Sequence, residues 1–353
     1  MTLGRVVGAV ATLAIGGAAG WLCSVLHTPI PWMLGPLFSI ALLRVAGARI
    51  EAPPPARYAG QWIIGTSLGL YFTPQVVREV AGLWYLLAAG AAFAIALGYV
   101  SGVALARLAG LDRTTGIFAS VPGGAAEMAT LGERFGGRMD RIAAAQSLRI
   151  LIVVAVVPGA ITALGIHGAD PYVQGATAFD AGGFAWLMGA TLAGSAAFQA
   201  FGAPNAFVLG SLAVAIPLTA FEIDLSSMPP IVSNAGQLLL GVALGSRFRP
   251  DFLHGAHRFV GAVALTVLMS IALSTVFGVG LAWVAGQNPA TLVLGNAPGG
   301  IAEMCITAKV LQLGVPLVTA FHVTRVVVLL LATPPVFERA RRWYRARETR
   351  RSK

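Results

Sequence analysis

Charge is scarce in this chain. Of its 353 residues 11% are Asp, Glu, Lys or Arg, against 57% that are hydrophobic, and its mean hydropathy is +0.78. Soluble domains carry about 25% charged residues, so the composition excludes an ordinary water-soluble globule and points to a membrane. Cysteine is nearly missing: Cys23 and Cys305 sit in unrelated apolar stretches, without the Cys-x-x-Cys or Cys/His spacing of a redox or zinc site, and read as packing residues. Five histidines leave little for a metal centre, and the one close pair, His254 and His257, has no third ligand or acidic neighbour. No Gly-x-x-x-x-Gly-Lys loop occurs, which argues against an ATP-driven pump within the chain. No metal, no cofactor and no enzymatic reaction are expected.

What the chain has in abundance is long apolar sequence. Stretches such as 6–26 and 83–108 are long enough to cross a hydrocarbon layer about 30 Å thick, and their Gly and Ala content suits helices that pack closely in lipid. The first follows Arg5 as a signal peptide would, but it runs on past His27-Thr28-Pro29 into a second apolar segment, so it is expected to stay as a helix. The +10 formal charge gathers at one place: eight basic residues fall between Arg339 and Lys353, with Trp343 and Tyr344 among them. Placed after the last apolar run, such a cluster anchors to an anionic cytoplasmic leaflet, and nucleic acid is not expected as a partner.

The chain is written twice. Pro122-Gly123-Gly124-Ala125-Ala126-Glu127-Met128 returns as Pro298-Gly299-Gly300-Ile301-Ala302-Glu303-Met304, identical at six of seven positions and 176 residues further on. The same offset carries Ala59-Gly60-Gln61 onto Ala235-Gly236-Gln237, Pro74 onto Pro250, Arg149 onto Arg325 and Pro158 onto Pro334; upstream it slips to 175, as for Pro29 and Pro204. The expected organisation is a first membrane repeat (1–164), a linker (165–182), a second repeat (183–338) and a basic cytoplasmic tail (339–353).

Periodicity and length predict helices near 6–26, 30–46, 58–73, 83–108 and 140–164, with counterparts near 183–202, 205–221, 231–247, 258–284 and 316–334. A motif segment lies between the fourth and fifth helix of each half, at about 114–134 and 290–312. Five crossings per half would invert the second copy, and six would leave it parallel. Lys and Arg favour five: with the tail inside, the inner loops hold Arg44, Arg49, Arg57, Arg107, Arg113, Arg134, Arg138, Arg141, Arg247, Arg249 and Arg258, while the outer loops near 165–182 and 222–230 hold none. Arg78 and Lys309 are exceptions. The expected fold is therefore all-α, a polytopic transmembrane bundle of two inverted repeats of about five helices, each with a segment that enters the membrane and returns. A variant in which the motif helices cross and those near 58 and 231 do not fits the charges less well. Both termini are expected in the cytoplasm, and the oligomeric state is open, a homo-oligomer included.

Inverted repeats with matching breaks point to the binding site of a secondary transporter. Pro lacks an N–H and Gly resists regular helix, so Pro122-Gly123-Gly124 and Pro298-Gly299-Gly300 free backbone groups that lipid cannot satisfy; these must face protein or a water-filled cavity. A half-helix starting there would present N–H groups to an anion, or the glycines simply admit a crossing helix. Glu127 and Glu303 are either proton or cation sites or helix caps at N3. Arg149 and Arg325 need partners in a membrane: Glu127 and Glu303, or an anionic solute. Gln146 and His322 hold equivalent places one turn earlier, where His322 either moves protons or packs. Ser120 and Asn296, just ahead of the breaks, are expected as polar lining.

The paired Pro-Gly-Gly-x-Ala-Glu-Met, the Leu-Gly-Pro-Leu after Pro31-Trp32 and the Gln-Trp-Ile-Ile-Gly-Thr-Ser-Leu-Gly from Gln61 resemble the AbrB-type integral membrane proteins of bacteria over essentially the whole chain. That family often carries the label "ammonia monooxygenase" or "AbrB regulator", and is similar to the cation:proton antiporter and anion transporter superfamily. The resemblance implies a secondary transporter of the inner membrane whose substrate is poorly defined; the inverted charge pattern, the paired breaks and the intramembrane Glu and Arg add the expectation of a small, anionic solute coupled to a proton or cation. A membrane enzyme subunit and a non-transporting regulator or sensor are the competing readings.

Overall fold

The computed structural model describes residues 3–168 save 49 and 51, then 172, 174–175, 178–248, 257–329 and 331. The tail (339–353), Pro334, the loop with Arg249, Pro250 and His254, and residues 169–171, 173, 176 and 177 of the 165–182 linker lie outside the described residues. All regular structure among the described residues is helical. The first half contains α1 (Leu3–Val25), α2 (Pro31–Val45), α3 (Ala56–Gly69), α4 (Pro74–Gly82), α5 (Trp84–Ala109), α6 (Arg113–Ser120), α7 (Ala125–Arg134) and α8 (Met139–Ala163). The second contains α9 (Ala181–Ala200), α10 (Ala206–Ala220), α11 (Pro230–Gly245), α12 (His257–Ala285), α13 (Pro289–Asn296) and α14 (Ile301–Val310), then α15 (Val315–Leu329).

Helices α1, α5, α8, α9 and α12 are long and apolar enough to cross a membrane; α2, α10, α11 and α15 are shorter apolar helices. Their outer faces carry bare apolar side chains, such as Trp186, Val276 and Trp283, each more than 70% exposed, a surface that suits lipid. The chain is a multi-pass helical membrane protein. One element departs from expectation: α4 occupies 74–82, between two predicted helices. Thr73 caps it by accepting from the N–H of Val76, and Pro74 fills the first turn, the favoured residues for those positions. Only Val76 of α4 is buried, so Arg78, an exception to the charge pattern, rides on a short surface helix.

Contacts repeat between the halves as the sequence does. A Cβ on Gly65 of α3 would strike Val208 and Ser211 of α10, and one on Gly241 of α11 would strike Met33 and Pro36 of α2; Gly65 and Gly241 are 176 apart, Met33 and Val208 175. Gly102 of α5 meets Ile117 as Gly278 of α12 meets Val293. These glycines let backbones touch, which replaces the hydrophobic drive that lipid removes. The equivalent helices α5 and α12 run antiparallel: Phe93 stacks on Phe277 at 4.0 Å, Ser101 Oγ is 2.8 Å from Ser270 Oγ, and Arg258 Nε donates to Leu108 O at 3.0 Å. One end of the bundle thus gathers Arg44, Arg57, Arg247 and Arg258, and is called the basic end below.

Each motif segment is a hairpin. The N–H of Arg138, just past α7, donates to Thr115 Oγ1 at the start of α6 (2.8 Å), and a Cβ on Gly132 of α7 would meet Phe118 of α6 at 3.1 Å. The chain therefore comes back beside its point of entry. Asp112 caps α6 through the N–H of Thr115, and Asn288 caps α13 likewise through Ala290 and Thr291. In the second hairpin Gly314 returns against Thr291. Limbs of 8 and 10 residues reach about 12–15 Å at 1.5 Å per residue, roughly half of a hydrocarbon core.

Candidate functional site

The two hairpin tips meet. Pro122, Gly123, Gly124 and Ala125 of the first and Gly299, Gly300, Ile301, Ala302 and Glu303 of the second line one cavity of about 60 Å³, along with Arg149 and Arg325. Gln61, Asn205, Arg57 and Arg247 complete its polar wall towards the basic end.

The motif's residue types follow from what its glycines accommodate. A Cβ on Gly123 would lie 2.8 Å from the Met128 side chain, and one on Gly299 2.7 Å from that of Met304. A Cβ on Gly124 or Gly300 would overlap the carboxylate of Glu127 or Glu303, far inside contact distance. The first glycine thus seats the methionine and the second the glutamate, each folded back over the break. The carboxylates lie over the N-termini of α7 and α14, where the helix dipole favours negative charge. The half-helix N-termini are covered by the chain's own carboxylates rather than open to an outside anion. Glu303 is 7% exposed, and Oε2 of Glu127 is buried without a hydrogen-bond partner.

The arginines do not pair with those glutamates. Arg149 donates from Nη1 to Val121 O (3.0 Å) and from Nη2 to Gly123 O (3.4 Å); Arg325 donates to Ala297 O (2.6 Å) and Gly299 O (2.5 Å). Among the described residues neither has a carboxylate within 4 Å. The expectation of a carboxylate partner is corrected: a broken helix leaves carbonyls bare in a place where each unpaired group costs several kcal/mol, and a guanidinium fork satisfies two at once. Each Nε is left buried and unpartnered. At longer range Arg149 and Arg325 repel each other, and Glu303 attracts both.

Gln146 and His322 serve the same breaks. Gln146 Nε2 donates to Phe118 O (2.8 Å) and Val121 O (2.9 Å), while His322 Nε2 lies 3.0 Å from Leu294 O, the equivalent of Phe118. Both side chains are fully buried. The atom left over is unpartnered in both, Oε1 of Gln146 and Nδ1 of His322. His322 is a second copy of a carbonyl-holding amide and does not line the cavity. Ser120 lines a smaller cavity of about 20 Å³ between the tips and α5/α12, with Pro122, Pro298, Arg149, Ser101 and Ser270. Asn296 is turned away: its Nδ2 donates to Leu292 O in its own helix, and its Oδ1 abuts Gly90 of α5.

Four polar lining residues, Gln61, Asn205, Arg57 and Arg247, escaped the sequence reading as site residues. Asn205 is the N-cap of α10 with φ 47°, and its repeat mate Ile30 caps α2 with φ 49°; asparagine tolerates this left-handed backbone, which a β-branched residue rarely adopts. Arg57 and Arg247 were counted only as loop charges. Arg247 is repelled by Arg57 and attracted by Glu303 and Glu127, so mouth and tips share one field. The clue lay in the duplication: the mates of Arg57, Asn205 and Arg247 are Ser233, Ile30 and Tyr71, so the copies diverge in polarity where the cavity opens.

Contacts between the two halves gather at the opposite end. Lys309, near the end of α14, donates to Ser67 Oγ of α3 (3.0 Å) and lies 5.9 Å from the Tyr71 ring centre. It is a half-buried hairpin residue and not a loop charge, which explains the second exception to the charge pattern. The inter-repeat segment packs there too: Gly168 N–H donates to Leu311 O and Gly175 N–H to Leu70 O, both at 3.0 Å.

Comparison with known proteins agrees with the resemblance. Residues 32–341 match the family model described as transition state regulatory protein AbrB. The chain is 26% identical over 365 residues to YhjN of Bacillus subtilis (strain 168), named as an uncharacterized protein, covering 92% of this chain and 91% of that one. It is 22% identical over 312 residues to a protein of Escherichia coli (strain K12) whose name proposes a regulator, AbrB, covering 88% and 90%. A helical membrane chain matched over nearly its whole length in this way belongs to the AbrB family.

Proposed function

We propose that the protein is a secondary transporter of a small anionic solute, working by alternating access to the cavity between the hairpin tips. In this reading the halves are inverted repeats, ten helices cross a bacterial inner membrane with both termini in the cytoplasm, and the hairpins enter from opposite sides. The observation that carries it is the meeting of two breaks, 176 residues apart, at one arginine-lined cavity that has polar walls at the basic end and a lysine plug at the other. The antiparallel run of α5 and α12 supports the inversion. Cationic lining selects anions, and the backbone freed at a break is tolerated at membrane depth where it lines a cavity.

Coupling falls to Glu127 and Glu303. Each covers a half-helix N-terminus at the solute site, so a proton or cation taken up by the carboxylate changes the field an anion meets. The test is uptake of labelled small anions by proteoliposomes under an imposed proton gradient. Gradient-driven uptake that Glu127→Gln and Glu303→Gln uncouple is expected. Uptake with the same gradient dependence in both variants would remove the coupling role, and no uptake of any small anion would overturn the transporter.

A further inference from the structure

The cavity carries more positive charge than its own acids balance. Four guanidiniums, those of Arg57, Arg149, Arg247 and Arg325, line it together with one carboxylate, Glu303. Glu127 is the second acid within electrostatic range of Arg247. Even with both acids ionised, two positive charges remain over. They are not spent elsewhere: Arg149 and Arg325 hold neutral carbonyls and keep a buried, unpartnered Nε, and Arg57 and Arg247 have no hydrogen-bond or ion-pair partner among the described residues. Arg149 and Arg325 are each 4% exposed. Uncompensated charge so placed costs several kcal/mol per ion, and repulsion between like charges raises that cost as water is excluded.

The division of the four is as informative as their number. Arg149 and Arg325 come from α8 and α15 and are fixed at the tips by their carbonyl bonds. Arg57 starts α3 and Arg247 follows α11, at the basic end, where no backbone carbonyl holds them. We infer that the solute is a small anion with two negative charges, one received at the tips by Arg149 and Arg325 and the other at the mouth by Arg57 and Arg247. A short dicarboxylate and a phosphate group share this chemistry. The inference rests on the anion-site reading above. A monoanion would leave one of the two pairs unbalanced.

Binding to the purified full chain in phosphatidylcholine nanodiscs separates the possibilities, measured by calorimetry with acetate and butyrate against oxalate, succinate and inorganic phosphate. At least one dianion is expected to bind about tenfold or more tighter than either monoanion; which one does so tells dicarboxylate from phosphate. Arg247→Gln, and independently Arg57→Gln, should abolish the preference for that dianion over acetate and butyrate. Thermal unfolding at the parent's temperature shows that the variants are folded. Equal affinity for mono- and dianions in the unaltered protein would overturn the inference and leave the anion site standing, whereas no binding of any anion would remove both. Replacing a third of the lipid with phosphatidylglycerol should not change the preference; its loss would assign Arg57 and Arg247 to lipid headgroups and also overturn the inference.

Discussion

Lys309 and Ser67 bridge α14 and α3 at the end of the molecule away from the cavity, Nζ donating to Oγ at 3.0 Å. The bridge joins the second hairpin to the first repeat, at the end that the proposed alternating access would open. Lys309→Ala should raise the reactivity of a cysteine placed at Leu70, buried at that end, towards a membrane-impermeant maleimide added on that side by about tenfold or more, the mark of a shift from a rarely to a commonly open state. Unchanged labelling would show that the lysine packs without gating.

Alanine at Gly124 or Gly300 should push the carboxylate of Glu127 or Glu303 off its helix N-terminus. The atoms in the way are the far end of a flexible side chain, so the cost is the lost helix-dipole interaction, about 0.3–1 kcal/mol. Thermal unfolding in detergent should show the loss for Gly124→Ala and Gly300→Ala, and in a Glu127→Ala background Gly124→Ala should add no further loss. A Gly124→Ala protein as stable as the parent would contradict the packing described for the motif.

His322 should be replaceable by glutamine. Its place and bond are those of Gln146 in the other half, so His322→Gln should keep the fold within about 1 kcal/mol and keep uptake and its pH profile. A lost or displaced pH dependence would restore the histidine as a proton carrier. Arg325→Lys should behave otherwise. A single ammonium cannot span Ala297 O and Gly299 O as the fork does, and losing a charged hydrogen bond to a buried carbonyl costs about 1.5–3 kcal/mol.

Much of this architecture was written in the sequence. Pro-Gly-Gly is a local interruption whose effect does not depend on tertiary context, and a constant offset turns two such interruptions into equivalent places. Apolar length placed the long helices, and the hairpins returned as the arginines near 113 and 138 suggested. What escaped was decided by partners far apart in the chain. The carbonyls that Arg149 and Arg325 hold exist only because the helix breaks 26 and 28 residues earlier, so the sequence offered only a carboxylate or an anionic solute as partners. Arg57 and Arg247 looked like loop charges because nothing local marks them as cavity lining. The short helix α4 escaped because its one buried side chain, Val76, gave no apolar stripe to follow.

The most direct test of alternating access uses the contact that the repeat predicts and this conformation lacks. The mates of Lys309 and Tyr71 are Glu133 and Arg247. Here Glu133 is exposed and its carboxylate has no partner among the described residues, while Arg247 lines the open cavity. When the basic end closes as the other end is closed now, Glu133 should reach Arg247 and form an ion pair where Lys309 lies against Tyr71. A Glu133→Cys, Ser246→Cys pair, which keeps Arg247 beside the new cysteine, in a protein with Cys23 and Cys305 replaced by serine, should cross-link under mild oxidation. The cross-link should stop anion uptake, and reductant should restore it. A pair that never cross-links, or a cross-linked protein that still transports at the uncross-linked rate, would contradict the account.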